Sequence, residues 1–543
     1  MKNILILIVA LSLLLTSGSC KNDSFFELER PNQYPWNTVS ELELAVRLPY
    51  LLLMGNAWGS PVGALSLRGY AESDISQYLN GITGSSYYNE YYTRKWETTV
   101  LSSSDKELEL AFSYLYQIST ATNAPLKLIT DAEKAGTDVF TNMTITERET
   151  VKRYKGELLF MRAVGYWYLA RTWAPPYNPD GSNDSKNFVL NLTYVNGASE
   201  IKNGKLATVE EVYTSIVQDL KDAIDVLPTS YVTSELSQRS RVNKYAAEAM
   251  LARIYFYMGK NVLAKTLLDN VINSGMYNLN DEPIAAFNKI AGEGSSGEIL
   301  WEIALSSTST KFDRIPTIFS KNAYQANGGR GTNWSQCAWA CFTLSNSTLQ
   351  QIGWMNKDLS VGPNATTDKR YTQTFIRLEA YKANPWSASA NPTEYWTWQN
   401  TYETLYPIPV PIVWLDKYYR ATTSGRRSNR PMLRLAEMYL TRSIISFKDG
   451  DKKGAAEDLN VVRKRAGLTD ISSADITELA IENERIIELA GENADRIYYL
   501  IAMRKPIGIG DRDATKYSPI LPPYSNYYWQ VPEIEKQNNS AYK

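Results

Sequence analysis

Apolar positions along this chain fall mostly at helical spacing. From Val209, the residues Val212, Ile216, Leu220, Ile224 and Leu227 recur at steps of three and four, and Pro228 closes the run. Thr208 with Glu211 has capping-box spacing, so a helix is predicted to open there. The stretch KGELLFMRAVGYWYLARTW, ahead of Pro175, is apolar on nearly every side from Leu158 to Ala170. That pattern predicts a deeply buried helix. Its start is set at Thr146, with Glu149 three residues on. Periodicity also predicts helices over Ser40 to Leu53, Lys106 to Ala135 with Gly136 as the stop, and about Ala474 to Arg504.

Two segments repeat one pattern. Residues 246–275 and 437–467 each read as a helix, a Gly turn and a returning helix. Gly259 precedes Ala264 by five, as Gly450 precedes Ala455. Leu268 and Leu459 follow four later, then Val271 and Val462 three beyond. The small Ala lets the paired helices approach closely. Tyr255 sits nine before Ala264, a tetratricopeptide-like spacing, whereas the second copy has Ser446 there. The expected fold is all-α, built of tetratricopeptide-like helical hairpins.

Periodicity fails in two regions. Residues 55–105 are rich in Gly, Ser and Tyr and are read as loops. Residues 276–430 are rich in Pro, Gly, Asn, Ser and Trp and are read as a large irregular, variable subdomain inserted into the helical core. The core then comprises 40–275 and 431–543. Loops on a rigid scaffold are where binding residues tend to sit.

The N-terminus adds a location. Met1, Lys2 and Asn3 lead into an apolar run from Ile4 to Thr16, then Ser17, Gly18, Ser19 and Cys20. A charged tip, a short apolar segment and small residues before a cysteine resemble a lipoprotein signal peptide, residues 1–19, the alternative being an ordinary secretory signal with an incidental Cys. The run is too short for a permanent membrane span. Cys20 is the expected lipidation site, with 20–39 as a polar tether. Ser17 stands where the lipobox usually has Leu.

Charge and composition mainly exclude. A net charge of -1 with no basic tract argues against nucleic acid as a partner. The chain contains no histidine, which removes every Ser-His-Asp or Cys-His mechanism and every imidazole metal site. Cys337 and Cys341 are either buried small residues or a local bridge; without histidine they cannot build a zinc site. Neither DGSND (180–184) nor DGDKKG (449–454) has EF-hand spacing. No cofactor, metal or catalytic residue is expected. Arg162, Arg463, Arg465, Arg485 and Arg496 are read as structural, pairing with acids such as Glu157, Glu437, Glu484 and Glu488.

The ordered set GELLFMRAVGYWYLARTW (156–173), TVEEVYTSIVQDLKDAIDVLP (208–228), RVNKYAAEAMLARIYFYMGK (241–260), RPMLRLAEMYLTRS (430–443), AAEDLNVVRKRAG (455–467), ERIIELAGENADR (484–496) and VPEIEKQNN (531–539) resembles the SusD/RagB family of bacterial surface lipoproteins. The resemblance implies a lipid-anchored protein on the outer face of the outer membrane. It implies capture of oligosaccharides, or of peptides, and their delivery to a SusC-like TonB-dependent transporter, without catalysis.

The 37 Tyr and 14 Trp supply the candidate chemistry. Flat rings stack on the apolar faces of sugars while neighbouring polar groups hold hydroxyls. One candidate group is Tyr70, Asp74, Tyr78, Tyr87, Tyr88, Tyr91, Tyr92, Arg94 and Trp96; the other is Trp334, Trp339, Trp386, Tyr395, Trp396 and Trp398. Trp167, Trp173 and Trp301 are read as core. Two other classes stay open on these residues alone: a glycoside hydrolase using paired carboxylates, and a helical scaffold binding only proteins.

Overall fold

The computed structural model describes residues 35–55, 60–78, 105–194, 204–233, 237–287, 296–304, 342–377, 413–415, 417 and 429–543. Cys20, most of the tether, and Cys337 and Cys341 lie outside them. Helix dominates, as the periodicity predicts.

Helix α1 (Val39–Met54) opens on Thr38, whose hydroxyl accepts from the Glu41 amide. Helix α2 (Pro61–Ala71) opens on Ser60 and leads to strand β1 (Ser76–Tyr78). Helix α3 (Lys106–Ala135) is capped by Asp105 and stops at Gly136, which takes φ 65°. Helix α4 (Ile145–Trp173) is buried along its second half except at Arg162. Strands β2 (Lys186–Val189) and β3 (Leu206–Thr208) pair antiparallel before helix α5 (Val209–Val226), whose Thr208–Glu211 capping box forms as read from the spacing.

Helices α6 (Lys244–Tyr257) and α7 (Asn261–Asn273) form the first repeated hairpin. Strand β4 (Ile299–Ile303) follows, then β5 (Phe342–Leu344) and three short helices, α8 (Asn346–Gln351), α9 (Pro363–Thr367) and α10 (Lys369–Gln373). Strands β6 (Phe375–Arg377), β7 (Val413–Leu415) and β8 (Arg430–Arg434) lead into the second hairpin, α11 (Leu435–Lys448) and α12 (Lys452–Arg465). Helices α13 (Glu478–Leu489), α14 (Asp495–Ala502) and α15 (Glu533–Asn538) complete the chain. Ala264 and Ala455, the small residues matched in the repeat, are fully buried in their hairpins.

Two cores result. The main one gathers α1, α3 to α7, α11 and α12 around Trp167, Trp173 and Trp301. All three indoles are buried, as the sequence reading has them; Phe160 meets Trp301 edge-on with ring centroids 5.0 Å apart. The second core is smaller. Trp354 packs edge-on against Tyr371 and Phe375 there, at 4.9 and 5.0 Å, beside Phe342, Leu344, Val413, Leu415 and Ile486.

Four expectations change. The capping box of α4 is Thr144 with Glu147, not Thr146 with Glu149. Both pairs have the same spacing; the earlier start satisfies the Thr144 and Glu147 amides and extends the helix by two residues. The predicted final helix breaks into α13 and α14, because Gly491, Asn493 and Ala494 all take positive φ, which no α-helical ladder passes through. Residues 55–105 are not all loop: Ser60 as cap and Pro61 in the first turn start α2, a signal present in the sequence. Residues 276–430 are not all outside the helical core, since β4 pairs with β8 and carries Leu300, Trp301 and Ile303 into the main core.

Candidate ligand-binding face

Each aromatic-rich connection has at least one end on a short strand of the second core. Connection 79–104 starts at the end of β1, and connection 305–341 ends where β5 starts. In the β1–β5 register Tyr78 lies opposite Phe342, their ring centroids 5.7 Å apart, so the two connections attach side by side. Connection 378–412 leaves β6 at Arg377 and returns at Val413, again directly opposite. Strands β5 and β7 touch. Segments far apart in the chain are therefore attached at one place.

The predicted site residues divide accordingly. Tyr87, Tyr88, Tyr91, Tyr92, Arg94, Trp96, Trp334, Trp339, Trp386, Tyr395, Trp396 and Trp398 lie on these connections, outside the described residues. Tyr70, Asp74 and Tyr78 are described, and they correct the expectation. Tyr70 is 2% and Tyr78 7% exposed, both inside the second core, so neither offers a ring face to a sugar. Both Asp74 carboxylate oxygens accept from Arg496, at 2.7 and 2.6 Å. Tyr70 and Tyr78 build the platform rather than the ligand contact, and Asp74 is tied to Arg496 beside them. Aromatic content alone cannot separate a core ring from a stacking ring; burial does.

A buried charge cluster joins platform and scaffold. Arg434 of β8 donates to Glu298 at 2.5 Å, to Glu488 at 3.0 Å and to both oxygens of Glu492 at 2.7 and 2.9 Å. Arg465 of α12 donates to Glu298 at 3.0 Å and to Glu488 at 2.5 Å. Arg370 of α10 clasps both oxygens of Asp368 and reaches Glu484 at 2.6 Å and Glu488 at 3.2 Å. The Lys417 ammonium, two residues past β7, donates to the Glu488 carbonyl at 2.6 Å and to Glu492 at 2.7 Å. Each of these charged side chains is at most 7% exposed. Such groups are tolerable inside only when paired and hydrogen-bonded.

Electrostatics follow from that crowding. Burial pushes the Glu488 carboxyl up, but Arg465, Arg434, Arg370 and Lys417 together hold it well below the ordinary carboxylate range. Burial likewise opposes ionisation of Glu492, and Arg434 and Lys417 again win. Lys417 moves down from its usual value: burial dominates, and Arg434 adds to it against the pull of Glu492 and Glu488.

Sequence reasoning identified the arginines as structural but missed most partners. Arg485 binds Asp495, Arg496 binds Asp74 and Glu482, and Arg162 binds Asp219. Arg434, Lys417 and Glu298 carry no local pattern that would single them out.

The fold invites comparison with known proteins. Residues 63–256 match a family described as starch-binding and associating with the outer membrane, and residues 297–498 match the SusD family. Each of these SusD-type matches covers a little over a third of the chain. A SusD-like protein of Bacteroides ovatus is 24% identical over 255 residues, which is 47% of this chain and 39% of that protein. The match therefore spans well under half of that curated relative. A SusD superfamily protein from Bacteroides thetaiotaomicron superposes with TM-score 0.69 at 19% identity, covering 93% of this chain and 98% of that one. Surface glycan-binding protein A from the same species, solved with laminarihexaose, gives TM-score 0.62 at 18% identity, covering 93% and 99%. At these identities the likeness to solved structures is one of fold. The SusD fold thus accounts for the helical hairpins. Among the described residues, no helix is long and apolar enough to cross a membrane and no group of His, Cys, Asp or Glu is placed to hold a metal ion.

Proposed function

We propose that this chain is a SusD-family glycan-binding surface lipoprotein that captures oligosaccharides and delivers them to a SusC-like TonB-dependent transporter. In this reading Cys20 carries the lipid that holds it on the outer face of the outer membrane. The variable region 276–430 and the loops of 55–105 supply the binding face on a core of 40–275 and 431–543. The observation that carries the reading is the common attachment of three aromatic-rich connections to one small core. Connections attached at one place are suited to bringing several rings to one multi-residue sugar ligand. Trp386, Tyr395, Trp396 and Trp398 are proposed to stack on sugar rings, with Tyr87, Tyr88, Tyr91, Tyr92, Arg94, Trp96, Trp334 and Trp339 completing the face.

Binding without cleavage is favoured by the state of the buried acids. Arginine holds the Glu488 and Glu492 carboxyls below their ordinary range. Glycosidases need one carboxyl that keeps its proton near neutral pH, and cations around a carboxylate oppose that. The fold neighbour solved with laminarihexaose makes that oligosaccharide the first probe. Calorimetry of the purified chain against laminarihexaose and a panel of other oligosaccharides, with product analysis, tests the proposal. Saturable binding with intact ligand supports it. Turnover, or silence toward every glycan, overturns it.

A further inference from the structure

The turn between α13 and α14 touches both halves of the platform. Gly491 takes φ +74°, and a Cβ there would lie 2.5 Å from Leu415 Cδ1 of β7. Ala494 takes φ 60°, unusual for a residue with a side chain, and packs on Gly69 of α2 so closely that a Cβ on Gly69 would lie 2.0 Å from its own. Glu492 between them accepts from Lys417 just beyond β7. Arg496, two residues past Ala494, holds Asp74 just ahead of β1. Six residues of chain thus reach β7 on one side and the α2–β1 junction on the other. Backbone outliers persist where surrounding structure over-determines them, and they concentrate where geometry serves function.

We infer that the segment 491–496 is the positioning element of the binding face: through Leu415 and Lys417 on one side, and Gly69 and Asp74 on the other, it sets the β6–β7 pair against the β1–β5 pair. The functional half of this inference rests on the glycan-binding reading. The mechanical half does not. Gly491 is the most sensitive position, because any side chain there pushes on Leu415. Lys417 and Glu492 are positioning residues, acting through strand ends rather than on ligand.

Hydrogen exchange on the full chain tests the mechanical half without a glycan. Gly491→Ala is expected to raise amide exchange at least tenfold in both pairs, residues 375–377 with 413–415 and residues 76–78 with 342–344, while the α6–α7 hairpin keeps its protection. Should Gly491→Ala fail to fold, Lys417→Met carries the same expectation for both pairs. Exchange confined to 413–415, with β1–β5 unchanged, overturns the inference. Calorimetry then separates the two halves. If the wild type binds a glycan and Gly491→Ala binds it at least tenfold more weakly with unchanged stoichiometry, the positioning role reaches the ligand. Equal affinity would overturn that role, and a wild type that binds nothing would overturn the glycan reading alone.

Discussion

Arg434 and Glu488 lie 3.0 Å apart with no more than 3% of either side chain exposed. They come from β8 and α13, and around them the helical scaffold meets the platform of the binding face. Removing one partner of such a pair leaves an uncompensated buried charge. Glu488→Gln is therefore expected to destabilise the protein by about 3–5 kcal/mol, read from urea unfolding. A loss below about 1 kcal/mol would mean that the cluster is not a structural joint.

The same carboxylate sets an acid limit. Its folded pKa is depressed, so its stabilisation is fully present above the unfolded value, about 4.3, and is lost as pH falls towards the folded value. The urea midpoint of the wild type is expected to be flat near neutrality and to fall below about pH 4.5. Glu488→Gln should start lower and fall less steeply. Parallel curves for the two proteins would contradict this assignment.

Helix starts offer a direct comparison. Thr144 caps α4 and Thr146 lies inside it. Thr144→Ala is expected to cost about 1 kcal/mol, whereas Thr146→Ala should stay within roughly 0.5 kcal/mol. Thermal unfolding of the two variants side by side decides it; the reverse order would return the cap to Thr146.

Gly69 and Ala494 leave no room for another methyl group. Gly69→Ala is expected to destabilise by about 1–3 kcal/mol through overpacking. Ala494→Gly in the same chain should recover most of that loss, since it empties the space and relaxes a positive φ. A double variant no better than Gly69→Ala alone would show that the contact is not the cause.

Ring position should separate packing from ligand contact. Tyr70→Phe and Tyr78→Phe keep buried rings in place and are expected to leave glycan affinity within about twofold. Trp396→Ala, on connection 378–412, is expected to weaken binding at least tenfold, about 1.4 kcal/mol. The opposite pattern in calorimetry would move the binding face into the second core.

What the sequence determined by itself is what short-range physics governs. Helical period, capping spacing, Gly stops and the matched Ala264 and Ala455 are local signals, and they laid out α3, α4, α5 and both hairpins. An apolar surface on every side of Leu158–Ala170 required burial whatever surrounded it. The tertiary structure decided what depends on partners remote in the chain. Arg434 meets acids at positions 298, 488 and 492, and Asp74 meets Arg496. No spacing rule encodes such choices, because a charge or an aromatic ring reads alike in sequence whether it faces water, a sugar or a core. Tyr70 and Tyr78 became platform residues, and strand ends that carry three distant connections became neighbours, only when packing brought β1, β5, β6 and β7 onto one small core.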